Sequence, residues 1–320
     1  MNSEGQLVLA PMVRACSLPF RELCHELGAD VCYGPEVVDL KLCGGASHRE
    51  VKCEGRVAEW VYDKDGSPVF SALLDREKPF IFQLGTASPA SAVEAARAVA
   101  EDVDGLDLNL GCCIHFSTQG GMGSALAENP DTVREIMHSL VREFGHSKRI
   151  SAKIRIRETP EDTAAFVRTA LVSAGCRDIA IHARRRTEGL TGPVHWDELA
   201  QVREILSPDG LHLVANGGVE THDDIQRIRD ATGIGDVMIG KAAMENPSVF
   251  AQGPLRPREE MIDRFLRLCL KYETSQGAAK FSVLEMLKSL PKSQRGPIIS
   301  KVSRTRTLVD LCKIFDINND

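Results

Sequence analysis

The chain has 320 residues, 43% hydrophobic, 26% charged and 5% aromatic, the balance of an ordinary globular protein long enough for one large core and a small appendage. The net charge of −6 is unevenly spread: residues 255–320 hold 13 Lys or Arg against 8 Asp or Glu, and residues 1–254 hold 26 against 37. That composition speaks against disorder and fibres, and no stretch approaches the roughly 20 apolar residues of a membrane span, so no membrane association is expected.

The chain opens without a basic region followed by an apolar run, so a cytoplasmic protein is expected. Eight short apolar runs then recur, each followed by a segment of helical character: 7–10, 30–33, 80–84, 105–108, 150–154, 179–182, 211–215 and 236–239. Near-continuous apolar runs of this length suit parallel strands buried on both faces, and eight of them alternating with helices predict an α/β fold, a TIM (β/α)8 barrel. A doubly wound open sheet is the alternative. Residues 39–78 interrupt the rhythm with Gly44-Gly45 and Asp65-Gly66-Ser67-Pro68, turn chemistry that predicts a hairpin or an excursion over the barrel mouth. Ser88-Pro89, Asn129-Pro130 and Thr159-Pro160 each place a side-chain acceptor at a helix N-cap and proline at the first helical position. Near Gly253-Pro254 the pattern changes, so residues 1–253 are expected to form the barrel and 254–320 a small C-terminal α-helical domain. Met261, Phe265, Leu268 and Tyr272 mark one apolar stripe of that tail, and Val283, Leu284, Leu287 and Leu290 another.

Ligands of such a barrel sit at the C-terminal strand edges. Here those edges collect Pro11-Met12, Glu36, Gln83, Asn109 with Cys112, Lys153, His182, Asn216-Gly217-Gly218 and Gly240-Lys241. Taken singly each has a structural explanation: an ion-paired lysine, a satisfied interior histidine, a small buried thiol. Together they exceed what packing requires. Glycines after the seventh and eighth strands suit a phosphate approached by backbone N–H groups, and Lys153 could set a cation beside the electron-rich edge of a flavin. The ten cysteines contain no Cys-x-x-Cys pair, so reduced thiols are expected, and no metal site.

Ala10-Pro11-Met12-Val13, Gln83-Leu84-Gly85, Asp107-Leu108-Asn109-Leu110-Gly111-Cys112, Lys153-Ile154-Arg155, Ile181-His182-Ala183-Arg184, Asn216-Gly217-Gly218 and Gly240-Lys241 with Asn246-Pro247 resemble, in order, the signature of the dihydrouridine synthases, which reduce uridine in tRNA. The stretches 117–123 and 242–250 are more similar to the eukaryotic type that modifies position 20 than to the bacterial types. The resemblance implies FMN bound by Pro11, Met12, Val13, Glu36, Gln83, Lys153, His182, Asn216, Gly217, Gly218, Gly240 and Lys241, the last five around its phosphate. It implies NADPH or NADH as reductant, with hydride passing through flavin N5 to C6 of the uracil ring. Cys112 would be the catalytic acid for C5, consistent with a thiol whose reference pKa of about 8.5 leaves it mostly protonated at neutral pH. Asn109 would hydrogen-bond the base, and Arg184, Arg185 and Arg186 suit the tRNA backbone near the pocket, unless they are merely solvated charges. The tail, with Lys288, Lys292, Arg295, Lys301, Arg304 and Arg306, would grip tRNA. A monomer with no obligatory protein partner is expected.

One departure stands out. The family normally has proline after the catalytic cysteine, and here Cys113 follows Cys112, which frees the backbone φ and adds a donor. Two alternatives stay open: an FMN barrel oxidoreductase acting on a small molecule, since one fold hosts many chemistries, and, on the strength of Cys113, a tRNA-binding homologue whose catalytic loop is impaired.

Overall fold

The computed structural model describes residues 5–75, 78–113, 115–189, 191–288 and 290–317. Strands β1 (Leu7–Leu9) and β2 (Val31–Val38) are followed by a separate antiparallel sheet, β3 (Ser47–Lys52), β4 (Val57–Tyr62) and β5 (Ser67–Leu73). Then come β6 (Phe80–Gly85), β7 (Gly105–Asn109), β8 (Arg149–Arg155), β9 (Asp178–His182), β10 (His212–Asn216) and β11 (Asp236–Ile239). The ring order is β1-β11-β10-β9-β8-β7-β6-β2, and β2 bonds back to β1 in parallel. The barrel is closed, which removes the open doubly wound sheet.

Helices α1 (Leu18–Glu26), α2 (Pro89–Val99), α3 (His115–Gln119), α4 (Pro130–Phe144), α5 (Pro160–Phe166), α6 (Trp196–Leu206), α7 (Asp223–Thr232) and α8 (Lys241–Glu245) connect the strands and follow the last one. The three expected caps form: Ser88, Asn129 and Thr159 accept from Ser91, Thr132 and Asp162 N–H groups. Because side chains alternate along a strand, each apolar run serves two cores. Phe82, Leu84, Leu106, Leu108 and Ile181 belong to the large core shared with the helices, whereas Val8, Val31, Tyr33, Ile81, Val214 and Met238 fill the barrel.

The insertion is a three-stranded meander on the outer wall, not a cover for the mouth. Phe70 packs against Phe82, with ring centroids 5.0 Å apart, and Trp60 donates to the buried carboxylate of Asp102 at 3.0 Å. Arg21 of α1 lies over the Phe80 ring at 4.1 Å and donates to the Ser71 carbonyl. The sheet therefore takes the place that a helix between β2 and β6 would hold.

The tail forms α9 (Arg258–Lys271), α10 (Gln276–Leu287), α11 (Lys292–Arg304) and α12 (Leu308–Ile314). All four residues of the first stripe are buried, and Phe265 meets Phe20 of α1 edge-on at 6.2 Å, so α9 shares the barrel's core. Arg14, in the loop after β1, lies over Phe281 of α10 at 4.8 Å. That contact joins the tail to the barrel mouth. No helix among the described residues is long and apolar enough to cross a membrane.

At the opposite end, His212 bridges Asp178 at 3.0 Å and Asp236 at 2.8 Å, while Arg149 pairs with Asp178 at 2.8 Å. Hydrogen bonds to Asp178 and Asp236 push the imidazole up to about 9 from its ordinary 6.5. A raised pKa means that the folded state favours the cation, so its contribution is complete below about pH 6.5 and lost as pH rises through about 9. His212→Gln should therefore lower Tm most at about pH 6 and hardly at about pH 9.5, as calorimetry would read. An equal Tm gap at both ends would show that the charge contributes nothing.

Candidate active site at the barrel mouth

Strand register stacks the expected residues in tiers. Gln83, Asp107 and Ser151 are neighbours across β6, β7 and β8. One step toward the C-terminal edge, Asn109 lies beside Lys153, and beyond them Arg155, His182 and Asn216 are successive partners. A register shift in β2 after Tyr33 sets Glu36 beside Gln83. One rim thus carries Glu36, Gln83, Asn109, Lys153, His182 and Asn216.

Burial sets the charges there. It lowers the Lys153 ammonium to about 8, with Arg155 acting in the same sense and Asp107 and Cys112 opposing. Among the described residues, Lys153 Nζ has no hydrogen bond or ion pair, so a cation faces the mouth without a bonded partner. Burial, with Lys153, Arg155 and Arg184 nearby, drives His182 down to about 2, and the ring is neutral. Arg184 Nη1 approaches His182 Nε2 at 3.3 Å, and since a guanidinium only donates, the imidazole proton resides on Nδ1.

The cysteine loop is pinned although Cys113 stands at the proline position. Asn109 Oδ1 accepts from the N–H groups of Gly111 at 3.0 Å and Cys112 at 3.1 Å. Arg155 Nε donates to the Gly111 carbonyl at 2.9 Å, and Ser124 N to that of Cys112 at 2.8 Å. Ser117 Oγ, on α3, donates to Glu36 at 3.1 Å. Cys112 and Cys113 are half-buried and not disulfide-bonded. Ile114 lies outside the described residues.

The glycines after β10 are fixed by packing. Gly217 and Gly218 have φ of +106° and +92°, and a Cβ would stand 2.7 Å from His182 Cδ2 at the first and 2.6 Å from Trp196 Cζ2 at the second. Trp196 Nε1 also donates to the Gly217 carbonyl at 3.1 Å, and Asn216 Nδ2 to that of Met238 at 2.8 Å. A Cβ at Gly240 would make only ordinary contact, 3.4 Å from Ala10 Cβ and 3.7 Å from the Met12 sulfur, so packing alone does not require glycine there. Pro11 is half-buried, and Val13 is exposed.

Not every expected side chain turns to the mouth. Lys241 is exposed and pairs with Glu245 at 2.9 Å, which leaves its backbone as the part near the glycines. Arg185 is held by both oxygens of Glu198 at 2.7 Å and accounts for an ion pair. Arg186 remains exposed, with Glu128 at 3.8 Å. Asp107, Arg155, Ser117 and Trp196 were absent from the expected set. A charged residue inside an otherwise apolar run was a readable signal for the first; the other three act through contacts that no spacing reveals.

Residues 8–295 match the family described as Dihydrouridine synthase. The chain belongs to that family. It is 34% identical over 321 residues to the "tRNA-dihydrouridine(20) synthase [NAD(P)+]" of Schizosaccharomyces pombe, covering 99% of this chain and 66% of that protein. The protein of the same name from Saccharomyces cerevisiae is 34% identical over 87% of this chain and 76% of its own length. A human "tRNA-dihydrouridine(20a/20b) synthase [NAD(P)+]-like" protein is 26% identical over 97% and 91%. The family match takes in the whole barrel, the cysteine loop, α9 and α10.

Gly218→Ala should cost about 1–3 kcal/mol in urea unfolding, because an L side chain is strained at this φ and Trp196 must move. A shifted tryptophan emission should accompany the loss. Unchanged stability and emission would mean that the loop relaxes freely.

Proposed function

We propose that the chain reduces a uridine in the tRNA D-loop, at position 20, to 5,6-dihydrouridine, with NAD(P)H as reductant and FMN as the bound carrier. The relatives' names support the reaction and the reductant. The observation that carries the flavin reading is Lys153, a half-buried cation with no bonded partner among the described residues, placed near Cys112 at a rim that also holds Gln83 and neutral His182. Those groups fit FMN: cation and amide for the ring, and the backbone of Gly217, Gly218, Gly240 and Lys241, with Asn216, for the phosphate. Pro11, Met12, Val13 and Glu36 would complete the cradle. FMN, when bound, would take a hydride from the nicotinamide and deliver it to C6 of the uracil.

The protein's own share is positional and acid–base. Lys153 offsets negative charge at the ring edge. Cys112 gives its proton to C5 and recovers one from solvent, so uridine, NAD(P)H and a proton become dihydrouridine and NAD(P)+. Asn109 spends its oxygen on the cysteine loop; its Nδ2, with no bond among the described residues, is left to donate to a uracil carbonyl. Arg184 and exposed Arg186 flank the mouth, while Lys301, Arg304 and Arg306 on the tail are exposed and in no ion pair among the described residues. They would take phosphates. Of the other tail cations, Lys288 pairs with Glu285 and Arg295 donates to the Lys288 carbonyl, while the side chain of Lys292 lies outside the described residues.

The test is mass spectrometry of unmodified tRNA incubated with the protein, FMN and NADPH. A gain of two hydrogens at one D-loop uridine is expected. Cys112→Ala should purify yellow and still be reduced by NADPH while making little dihydrouridine, whereas Cys113→Ala should be nearly normal. Equal product from Cys112→Ala and wild type would sink the acid assignment. Flavin reduced without any change in tRNA would favour a small-molecule acceptor or an impaired loop.

A further inference from the structure

Asp107 is fully buried inside the barrel, level with Gln83 and Ser151, and the proposed chemistry does not use it. Ser151 Oγ donates to its Oδ1 at 2.6 Å and Gln83 Nε2 to its Oδ2 at 2.8 Å. Ser151 has one proton, and with that proton given to Asp107, the 3.3 Å contact between Tyr33 Oη and Ser151 Oγ must run from the tyrosine. The donors point one way and end on the carboxylate, an arrangement that suits an anion. Gln83, having committed its amide nitrogen downward, has its carbonyl oxygen on the other branch.

Lys153 is the next inward position on β8 after Ser151, the register partner of Asp107, and the charges it interacts with are Asp107 on β7, Cys112 beyond that strand, Arg155 on its own strand and His182 on β9. Asp107 is the carboxylate among them. We propose that Asp107 is a positioning residue of the flavin site, orienting the Gln83 amide so that its carbonyl meets the cofactor, and serving as the buried counter-charge that keeps Lys153 an ammonium. The inference rests on the FMN reading above. Burial pushes Asp107 up to about 6 and Lys153 down to about 8, so both are charged at neutral pH by a narrow margin. Without the carboxylate, burial and Arg155 act on Lys153 with only Cys112 opposing.

FMN binding to the full chain, followed by fluorescence quenching across pH 6.5 to 9, tests this. Asp107→Asn should weaken FMN binding about tenfold at neutral pH and move the alkaline loss of affinity down by about one pH unit. Ser151→Ala, which keeps the Gln83 contact and the charge, should bind within about threefold of wild type with an unmoved profile. An Asp107→Asn protein with wild-type affinity, or with weaker binding and an unmoved profile, would overturn the proposal, the second result marking a purely structural role. Should Asp107→Asn fail to fold, carboxyl ¹³C NMR of the wild type at about pH 7.5 decides: an ionised Asp107 is expected, and a protonated one overturns the proposal. Wild type that binds no FMN at all would bring down the flavin reading itself and this inference with it.

Discussion

Two opposite charges inside a closed barrel organise the functional end of this protein. Side chains at 107 and 109 on β7, and at 151, 153 and 155 on β8, face one way by strand alternation, and closure makes that way inward. Asp107 and Lys153 therefore enter a low-dielectric interior together. Burial works against both charges, and at Asp107 it is opposed by hydrogen bonds from Ser151 and Gln83 and then by the Lys153 cation. The polar tier of Gln83, Ser151 and Tyr33 follows from the buried carboxylate, which needs donors; His182 is kept neutral by its own burial and then by the cations Lys153, Arg155 and Arg184 nearby. The mouth is electrostatically set by the strands, and the loops add reactive and binding groups to it.

The sequence showed the barrel well because its signal is local. Eight apolar runs and three Ser/Asn/Thr-Pro caps are read within a few residues, and all formed where expected, with β2 alone running much longer than its apolar core. What the sequence hid depends on long-range packing. The meander from Ser47 to Leu73 announces its turns, but its seat on the wall is decided by Phe80 and Phe82, residues that also read as ordinary strand interior. The rim residues were legible as a set since strand ends are legible. Their partners were not: nothing in the spacing of Arg185 and Glu198, or of Arg155 and Gly111, shows that an arginine will be spent on an ion pair or a carbonyl.

The cysteine loop is held from the rim and not by its own covalent geometry. Proline would fix one φ angle by covalent geometry. With Cys113 in its place, the backbone on the other side of Cys112 is fixed by Asn109 and Arg155, and its carbonyl by Ser124, so three elements converge on two residues. Gly123 permits the approach, as a Cβ there would lie 2.6 Å from the Cys112 carbonyl oxygen. Such cross-links are each worth about 1 kcal/mol, so the loop's order is tied to the rim instead of being intrinsic. Asn109 then has two tasks, and a substrate that engages its nitrogen would also steady the cysteine.

Charge segregation adds direction to this geometry. An acidic body repels a polyanion over most of its surface, and a basic tail attracts it, so on the proposed reading tRNA meets the tail first and in a restricted orientation. The tail is not a loosely tethered arm: α9 shares the barrel's core through Phe265 and Phe20, and α10 touches the mouth through Phe281 and Arg14. Arg14 takes a left-handed φ of 68°, a costly conformation for a residue with a side chain, in the same loop as Met12 and Val13. On the proposed reading, phosphate binding to the helical tail and cofactor binding to the β1 loop would therefore be mechanically adjacent. On the same reading, a target base turned out of its stack would meet a rim whose charges, Lys153 and Arg155 above Asp107, are already in place.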